Sequence, residues 1–284
     1  MDAPASRCPN LTALIALLLT VPPAVRSIGL LVAEADILVA CLRPRTMQFV
    51  EMFCGVGALT VAARNSGLRT AWYDLLLDDG SMDMLTDHGF ANAILLALSV
   101  SPRGTVWFGV PCSTFIWIAR GHTRRSKTHP VGDTSRADVR DANLLVQRVV
   151  LLLRLLALRQ VFFVIEQPAS SVLFYLPDLR ALEGSGICIG RYRWQKRFLW
   201  LGHFGHRLWK PTFLVGIFPG LKNRPELTTR RPPPRIVKDW HKWRNKSGKM
   251  RCAGNASLRR TGEYPESFCR LVAQLIAKVA RTRS

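Results

Sequence analysis

Residues 47–65 read MQFVEMFCGVGALTVAARN, and this stretch decides the fold. It opens with a short apolar run, Met47 to Met52, which is typical of a strand covered on both faces of a parallel sheet. Gly55 and Gly57 then let the backbone turn tightly and approach a ligand without a Cβ in the way. A helix predicted from residue 58 to residue 66 offers free N–H groups to that ligand. The stretch therefore predicts a strand, a glycine turn and a helix.

Two later apolar runs end in the same way, each with a reactive side chain just beyond the strand. The run from Thr105 to Val110 precedes Pro111 and Cys112, and the run from Val161 to Ile165 precedes Glu166. In open α/β sheets, ligands bind at the carboxyl ends of the strands. A glycine turn, a candidate nucleophile and a carboxylate at three strand ends therefore predict one active site.

The sequence between these runs alternates strands with helices. We predict a strand at 70–73, a helix at 90–99 and, after a turn at 101–104, the strand that precedes the cysteine. A further helix at 139–158 leads into the strand that precedes the glutamate. This alternation predicts an α/β fold with a mostly parallel, doubly wound sheet, and the chain length leaves room for a small accessory region.

The chain is strongly basic. Forty Lys and Arg residues stand against nineteen Asp and Glu residues, and the net charge of +21 favours a polyanionic partner, with nucleic acid as the first candidate. The charge concentrates between Arg191 and Arg260, where nineteen Lys and Arg residues stand against two acids. Aromatic residues interleave with them, which suits a surface that holds phosphates and stacks bases. A solubilising surface or tail is the alternative interpretation.

A long polar loop is predicted between residues 121 and 138. It carries basic side chains from His122 to Arg136. A segment of this length without secondary structure suggests function when it lies within a compact domain. We expect the loop to act as a lid over the strand ends and to contribute to nucleic-acid binding.

Residues 1–46 form an apolar extension with three open interpretations. The run 11–21 resembles the core of a signal peptide but is too short to span a bilayer. The run 28–42 contains Glu34 and Asp36 and is a poor membrane span. A packed accessory helix, a targeting segment and a mis-assigned start of the reading frame stay open, and a membrane partner is not expected.

The seven cysteines form neither a C-x-x-C pair nor a Cys/His cluster at zinc spacing. We therefore predict no metal site and no disulfide scaffold. Their odd number and scatter fit a reducing, intracellular compartment, where a free thiolate is usable for chemistry.

Three side chains at the strand ends each have a functional and a structural interpretation. A cysteine in an apolar strand is most often inert, but Cys112 lies beyond its strand and beside the basic loop, whose cations favour the thiolate. Glu166 follows five apolar residues, so it needs either an arginine partner or a catalytic task. Asp74, at the end of the second strand, either accepts hydrogen bonds from ribose hydroxyls or caps a tight turn.

These segments resemble the cytosine-5 DNA methyltransferases. The family's opening motif, Phe-x-Gly-x-Gly after a strand, is matched by Phe53 to Gly57. Its Pro-Cys motif is matched by Pro111-Cys112, and the glutamate of its Glu-Asn-Val motif is matched by Glu166. The order of the motifs agrees as well, and the resemblance covers residues 47–180 of this sequence.

A weaker resemblance continues toward the C-terminus. Asp138-x-Arg140 resembles the Asp-x-Arg that precedes the helix after the family's catalytic loop. Tyr264-Pro265 and the apolar helix from Phe268 to Ala280 resemble its last motif, which returns to complete the cofactor pocket. The implied organisation is an S-adenosylmethionine-binding domain at 47–190, a target-recognition-like region at 191–260 and a helix within 261–284 that packs back on the first domain.

The resemblance implies a Rossmann-like class I methyltransferase that transfers a methyl group from S-adenosylmethionine to C5 of cytosine in DNA. Cys112 would attack C6, Glu166 would bond or protonate N3, and Arg140 would hold the substrate. The base that removes the C5 proton is not assigned. A nucleus or another DNA-containing compartment is implied. The residues implied to bind the cofactor are Phe53, Cys54, Gly55, Gly57, Asp74, Asp83 and Pro111.

The sequence also departs from the family pattern. Gln167-Pro168 stands where the family has Asn-Val, and its Gln-x-Arg-x-Arg motif is only loosely matched within Arg191 to Arg197. Two alternatives therefore stay open. One is a catalytically impaired methyltransferase-like protein that binds nucleic acid, and the other is a methyltransferase that acts on RNA.

Overall fold

The structure is a computed structural model that describes residues 45–77, 79–227, 240–244, 247–248, 250–254 and 262–282. The N-terminal extension predicted at 1–46 therefore lies almost wholly outside the described residues. In chain order the elements are β1 (Met47–Met52), α1 (Ala58–Asn65), β2 (Thr70–Tyr73), α2 (Asp87–Leu98), β3 (Val100–Phe108), α3 (Arg120–Thr123), α4 (Ala137–Leu158), β4 (Phe162–Pro168), α5 (Pro177–Gly184), β5 (Cys188–Ile189), β6 (Tyr192–Arg193), β7 (Gln195–Trp200), β8 (Pro211–Ile217), β9 (Trp240–Arg244), β10 (Met250–Gly254) and α6 (Glu266–Arg281).

Six strands form one mixed sheet in the order β2-β1-β3-β4-β8-β7. The pairs β1–β2, β1–β3 and β3–β4 are parallel, whereas β8 runs antiparallel to both of its neighbours, β4 and β7. The predicted α/β fold with a mostly parallel sheet is thus confirmed at this level. Two short hairpins, β5–β6 and β9–β10, stand apart from this sheet.

The predicted apolar runs form strands of the sheet, with differences in β3 and β4. Strand β4 continues to Pro168, so Glu166 lies inside the strand and not beyond it as predicted. The expected turn at 101–104 lies inside β3 as an irregularity, because Met47 pairs with Val100 whereas Phe49 already pairs with Thr105. Gly104 allows the chain to fold back there, since a Cβ on it would lie 2.6 Å from the side chain of Val100. The residues typical of a turn are present, but the segments before and after them both pair with β1 and belong to one strand.

Helices cover the sheet and bury its central strands. Helix α1 packs against α6, and α2 packs against α4. The helix predicted at 139–158 is confirmed as α4, whose leucine-rich second half is buried. Within the described ranges no helix combines the length and apolar character needed to cross a membrane.

The basic region contributes strands to the main sheet. Strands β7 and β8 lie after residue 190, where the sequence suggested a boundary, yet they pair with each other and β8 pairs with β4. The charged segment 191–217 is therefore continuous with the α/β core. Helix α6, in the predicted C-terminal segment, packs on α1 and β3.

Candidate active site at the strand ends

The glycine turn after β1 adopts the conformation that its sequence requires. Gly55 and Gly57 have φ angles of 55° and 68°, in the left-handed region that favours glycine. The Gly55 N–H donates to Oδ2 of Asp74 at 2.7 Å, and the Leu76 N–H donates to Oδ1 at 3.0 Å. Asp74 therefore ties the turn after β1 to the end of β2. Phe53, at φ 59°, is a strained non-glycine residue in the same turn.

Glu51, near the end of β1, is a buried carboxylate that sequence reasoning missed. It is 1 % exposed, and its Oε2 accepts from the backbone N–H and the hydroxyl of Thr60, at 2.7 and 2.6 Å. Burial raises its pKa to about 7, although the two hydrogen bonds act in the opposite direction. Its contacts lie at the start of α1, where they hold the glycine turn against the helix. Neighbouring Cys54 is buried as well, and burial raises its pKa to about 12.

Asp83 lies near the side chain of Tyr73, the last residue of β2. Its Oδ1 accepts from the Leu85 N–H at 2.9 Å, and its charge contributes, after burial, to the raised pKa of Tyr73. The helix α2 approaches this turn so closely that a Cβ on Gly89 would lie 1.9 Å from the Asp83 carbonyl oxygen. The structure thus brings the two predicted acids to one edge of the sheet.

Cys112 lies four residues beyond β3 and is half-buried, with a free thiol. Burial is the main cause that raises its pKa to about 11, the charge of Glu166 raises it further, and Lys210 lowers it. The thiol is therefore the resting form at neutral pH. The expectation that the basic loop favours the thiolate is not met, because the cation that acts on Cys112 is Lys210.

Glu166 is held from one side only. It is 6 % exposed, and its Oε2 accepts from the Tyr264 hydroxyl at 3.2 Å. That hydroxyl in turn accepts from Nε1 of Trp107 at 3.0 Å. The other oxygen, Oε1, is buried and has no hydrogen-bond partner among the described residues. The predicted alternative, an arginine ion pair, is absent from the described part of the chain.

Two further residues of this cluster were not predicted. Lys210 precedes β8 at φ 35°, and its Nζ lies 5.5 Å from the centroid of the Tyr264 ring. Gly109 directly follows β3, and a Cβ on it would lie 2.9 Å from the carbonyl oxygen of Phe53 and 3.3 Å from the Tyr264 hydroxyl. Both contacts join residues that are far apart in the sequence, so no local sequence pattern predicts them.

The loop expected as a lid is built around a buried arginine. Arg125 is 1 % exposed, and its guanidinium donates to Oδ1 of Asn143 at 2.9 Å and to the carbonyl of Val131 at 3.1 Å. It also lies over the ring of Phe115, 4.1 Å from the centroid. Burial lowers its pKa to about 10. The loop is thus anchored to α4 and to the segment after Cys112.

Arg140 and Asp138, which the resemblance singled out, both bind within this loop. Arg140 donates to the carbonyl oxygens of Thr134 and Ser135 at 3.0 and 2.8 Å. Asp138 lies 2.7 Å from Nε2 of His122, and this contact holds its pKa below the usual range. The described residues contain no contact from Arg140 to the cysteine or glutamate, and its role toward a substrate stays a prediction.

The remaining predicted positions lie at the same strand ends. Pro111 is exposed, and Gln167 is buried with its amide donating to the carbonyl oxygen of Val110. This bond ties the end of β4 to the segment before Cys112. No cluster of three or more His, Cys, Asp or Glu side chains among the described residues is arranged to hold a metal ion.

Comparisons with known proteins do not identify a family for this chain. A comparison with protein-family models gives no match, and a search of curated proteins gives none either.

Proposed function

We propose that the protein transfers a methyl group from S-adenosylmethionine to C5 of cytosine in nucleic acid, with DNA as the first candidate. The observation that carries the proposal is the pairing of Cys112 with Glu166. The thiol lies close enough for the carboxylate to raise its pKa, and the carboxylate keeps a buried acceptor without a protein partner. A nucleophile beside a hydrogen-bonding acid is what addition to a pyrimidine ring requires.

The proposed reaction begins with addition of sulfur to the ring. The target cytosine leaves its stack, because C5 and C6 are inaccessible within a duplex. Deprotonated Sγ of Cys112 bonds to C6, the C5–C6 π pair moves toward C5, and Glu166 bonds or protonates N3 so that negative charge does not accumulate. S-adenosylmethionine supplies an electrophilic methyl group when bound. After C5 is methylated, a base removes the C5 proton and the C6–S bond breaks to release Cys112.

The residues at the glycine turn fit this cofactor. A Cβ on Gly55 would meet nothing within 4 Å, so the turn is open to a ligand on that side. Asp74 and Asp83 lie at the end of β2, where carboxylates suit the ribose hydroxyls and the adenine edge. Leu75 and Leu76 follow Asp74 with 53 % and 84 % of their surface exposed, which suits apolar cover for a purine ring. The cofactor would thus lie along Phe53 to Gly57.

One observation favours the catalytically impaired alternative. With a pKa of about 11, only a small fraction of Cys112 is thiolate at neutral pH. An active enzyme therefore needs the bound substrate or the nearby Lys210 to stabilise the charged form. A nucleic-acid-binding protein that keeps the fold without turnover needs no such change.

Covalent trapping tests the proposal. Purified protein is incubated with S-adenosylmethionine and a DNA duplex that contains 5-fluorocytosine. This base carries fluorine in place of the C5 proton, and a base cannot abstract that fluorine, so the covalent intermediate accumulates. We expect a denaturation-resistant adduct that forms with the Cys188→Ala variant, a matched half-buried thiol, and not with Cys112→Ala.

The possible outcomes separate the candidates. An adduct that persists in Cys112→Ala would exclude the assigned nucleophile. No adduct with DNA but an adduct with the corresponding RNA would move the proposal to an RNA substrate. No adduct with either, although both the cofactor and the nucleic acid bind, would favour the impaired protein.

A further inference from the structure

Strands β7 and β8 carry a ladder of aromatic rings on one face of the sheet. Phe198 lies 5.3 Å from Trp200 along β7 and 5.5 Å from Phe213 on β8, between ring centroids. Trp200 in turn lies 6.0 Å from Trp209, which comes just before β8. These four residues are the aromatic ladder. Each ring packs edge-to-face against the next, so the ladder is held in place before any ligand arrives.

The aromatic ladder is open to solvent. Phe198 is 37 % exposed and Trp209 is 38 % exposed. Contiguous exposed rings are uncommon on a soluble protein and mark binding surfaces. The rings are therefore available to a partner without any movement of the sheet.

The charge around the aromatic ladder is of one sign. Between Glu183 and Glu226 the sequence contains eight Lys and Arg residues and no Asp or Glu. Lys196 is exposed on the same face of β7, with its Nζ 3.7 Å from the centroid of the Phe213 ring. Lys210 lies at the other end of the ladder, beside Trp209. A partner that fits this surface has flat apolar groups and regularly spaced negative charge.

The aromatic ladder begins next to the candidate site. Phe213 pairs with Gln167 across β4 and β8, and Gln167 adjoins Glu166. Lys210, whose charge acts on Cys112, is the residue before β8. A chain bound along the ladder would therefore reach the edge of the sheet at which β4 ends, beside Lys210.

We infer that the aromatic ladder binds single-stranded nucleic acid, with unpaired bases against the rings and phosphates near Lys196 and Lys210. The identification of the partner as the substrate strand rests on the proposed function. Stacking on aromatic side chains needs exposed base faces, and a duplex covers those faces with neighbouring pairs. The surface thus selects unpaired or locally opened strands.

Binding is measured by fluorescence anisotropy with a labelled single-stranded oligonucleotide and with its duplex, in the Cys112→Ala background so that no covalent step contributes. We expect the single strand to bind more tightly. Because bases stack favourably on aromatic rings, Phe198→Leu and Trp209→Leu should each weaken single-strand binding by roughly tenfold and leave duplex binding nearly unchanged. Leucine keeps apolar volume and removes the ring.

The matched control is Trp72→Leu, since Trp72 is 36 % exposed with Arg64 over its ring but lies on β2, outside the ladder. We expect no change in this variant. An equal loss in Trp72→Leu, or unchanged single-strand affinity in both ladder variants, would overturn the inference. If a ladder variant unfolds, Lys196→Gln provides the test. Removing this positive charge should reduce the slope of log affinity against log salt concentration for the single strand by about 0.7–1. An unchanged slope would count against the ladder.

This experiment separates the ladder from the proposed chemistry. Single-strand binding that depends on the ladder, together with no 5-fluorocytosine adduct, would support the surface and overturn the proposed reaction. An adduct that needs Cys112 but forms equally well in the ladder variants would support the proposed reaction and overturn the role of the ladder.

Discussion

Replacing Tyr264 by phenylalanine should destabilise the protein, because its hydroxyl serves two buried groups at once. The hydroxyl donates to Glu166 at 3.2 Å and accepts from Nε1 of Trp107 at 3.0 Å. Trp107 is 2 % exposed and Glu166 is 6 % exposed, so water does not readily replace the lost partner. Each of the two buried groups left without a hydrogen bond costs about 1–3 kcal/mol, which places the loss for Tyr264→Phe at about 2–6 kcal/mol.

The measurement is the free energy of unfolding in urea for Tyr264→Phe and for Tyr192→Phe. The control also removes one tyrosine hydroxyl, but the partner of that hydroxyl, Arg191, is exposed and 3.5 Å away. We expect the control to lie within about 0.5 kcal/mol of the wild type. A Tyr264→Phe variant as stable as the control would show that the contacts of this hydroxyl do not organise the site.

Three other substitutions test separate parts of the structure. Burial raises the pKa of Glu51 from 4.5 to about 7, so the folded state loses stability as pH rises from 4.5 toward 7. The loss is up to about 3 kcal/mol. Urea unfolding at pH 4.5 and at pH 7 should show this loss in the wild type and not in Glu51→Gln. Lys210→Met should raise the pKa of Cys112 further, so the pH midpoint for alkylation by iodoacetamide, followed by mass spectrometry of the Cys112 peptide, should move upward; a downward shift would contradict the assigned role of the lysine. Gly89→Ala should lower the free energy of unfolding by about 1–3 kcal/mol through overpacking, whereas Gly121→Ala, with nothing within 4 Å of its Cβ, should be nearly neutral in the same assay.

The sheet was predictable where one strand's own sequence decides its state. Strand β1 has the predicted bounds, and β2 matches residue for residue, because their apolar runs end in glycine or aspartate. The turn at 101–104 was predicted correctly as local chemistry and wrongly as a strand boundary, since pairing with β1 on either side keeps both arms in one strand. Pairing partners decide such a case, and a single sequence does not contain them.

The candidate site divides in the same way. The bond from Gly55 to Asp74 joins two residues that follow consecutive parallel strands, so topology alone brings them together. Tyr264 reaches Glu166 across 98 residues of sequence and Trp107 across 157, and nothing local signals either contact. The polar residues around Arg125 in the sequence predict an exposed loop, yet the Arg125 guanidinium is enclosed by backbone carbonyls and the ring of Phe115. Long-range packing decided these positions.

The link between Glu166 and Tyr264 has a consequence for biosynthesis. A ribosome exposes β1 to β4, with Cys112 and Glu166, long before it adds Tyr264 and helix α6. Until then Trp107 and Glu166 lack the hydroxyl that joins them, and α1 lacks the helix that covers it. The nascent chain therefore holds Trp107 and Glu166 without their shared partner, and these two hydrogen bonds form only after Tyr264 has been added.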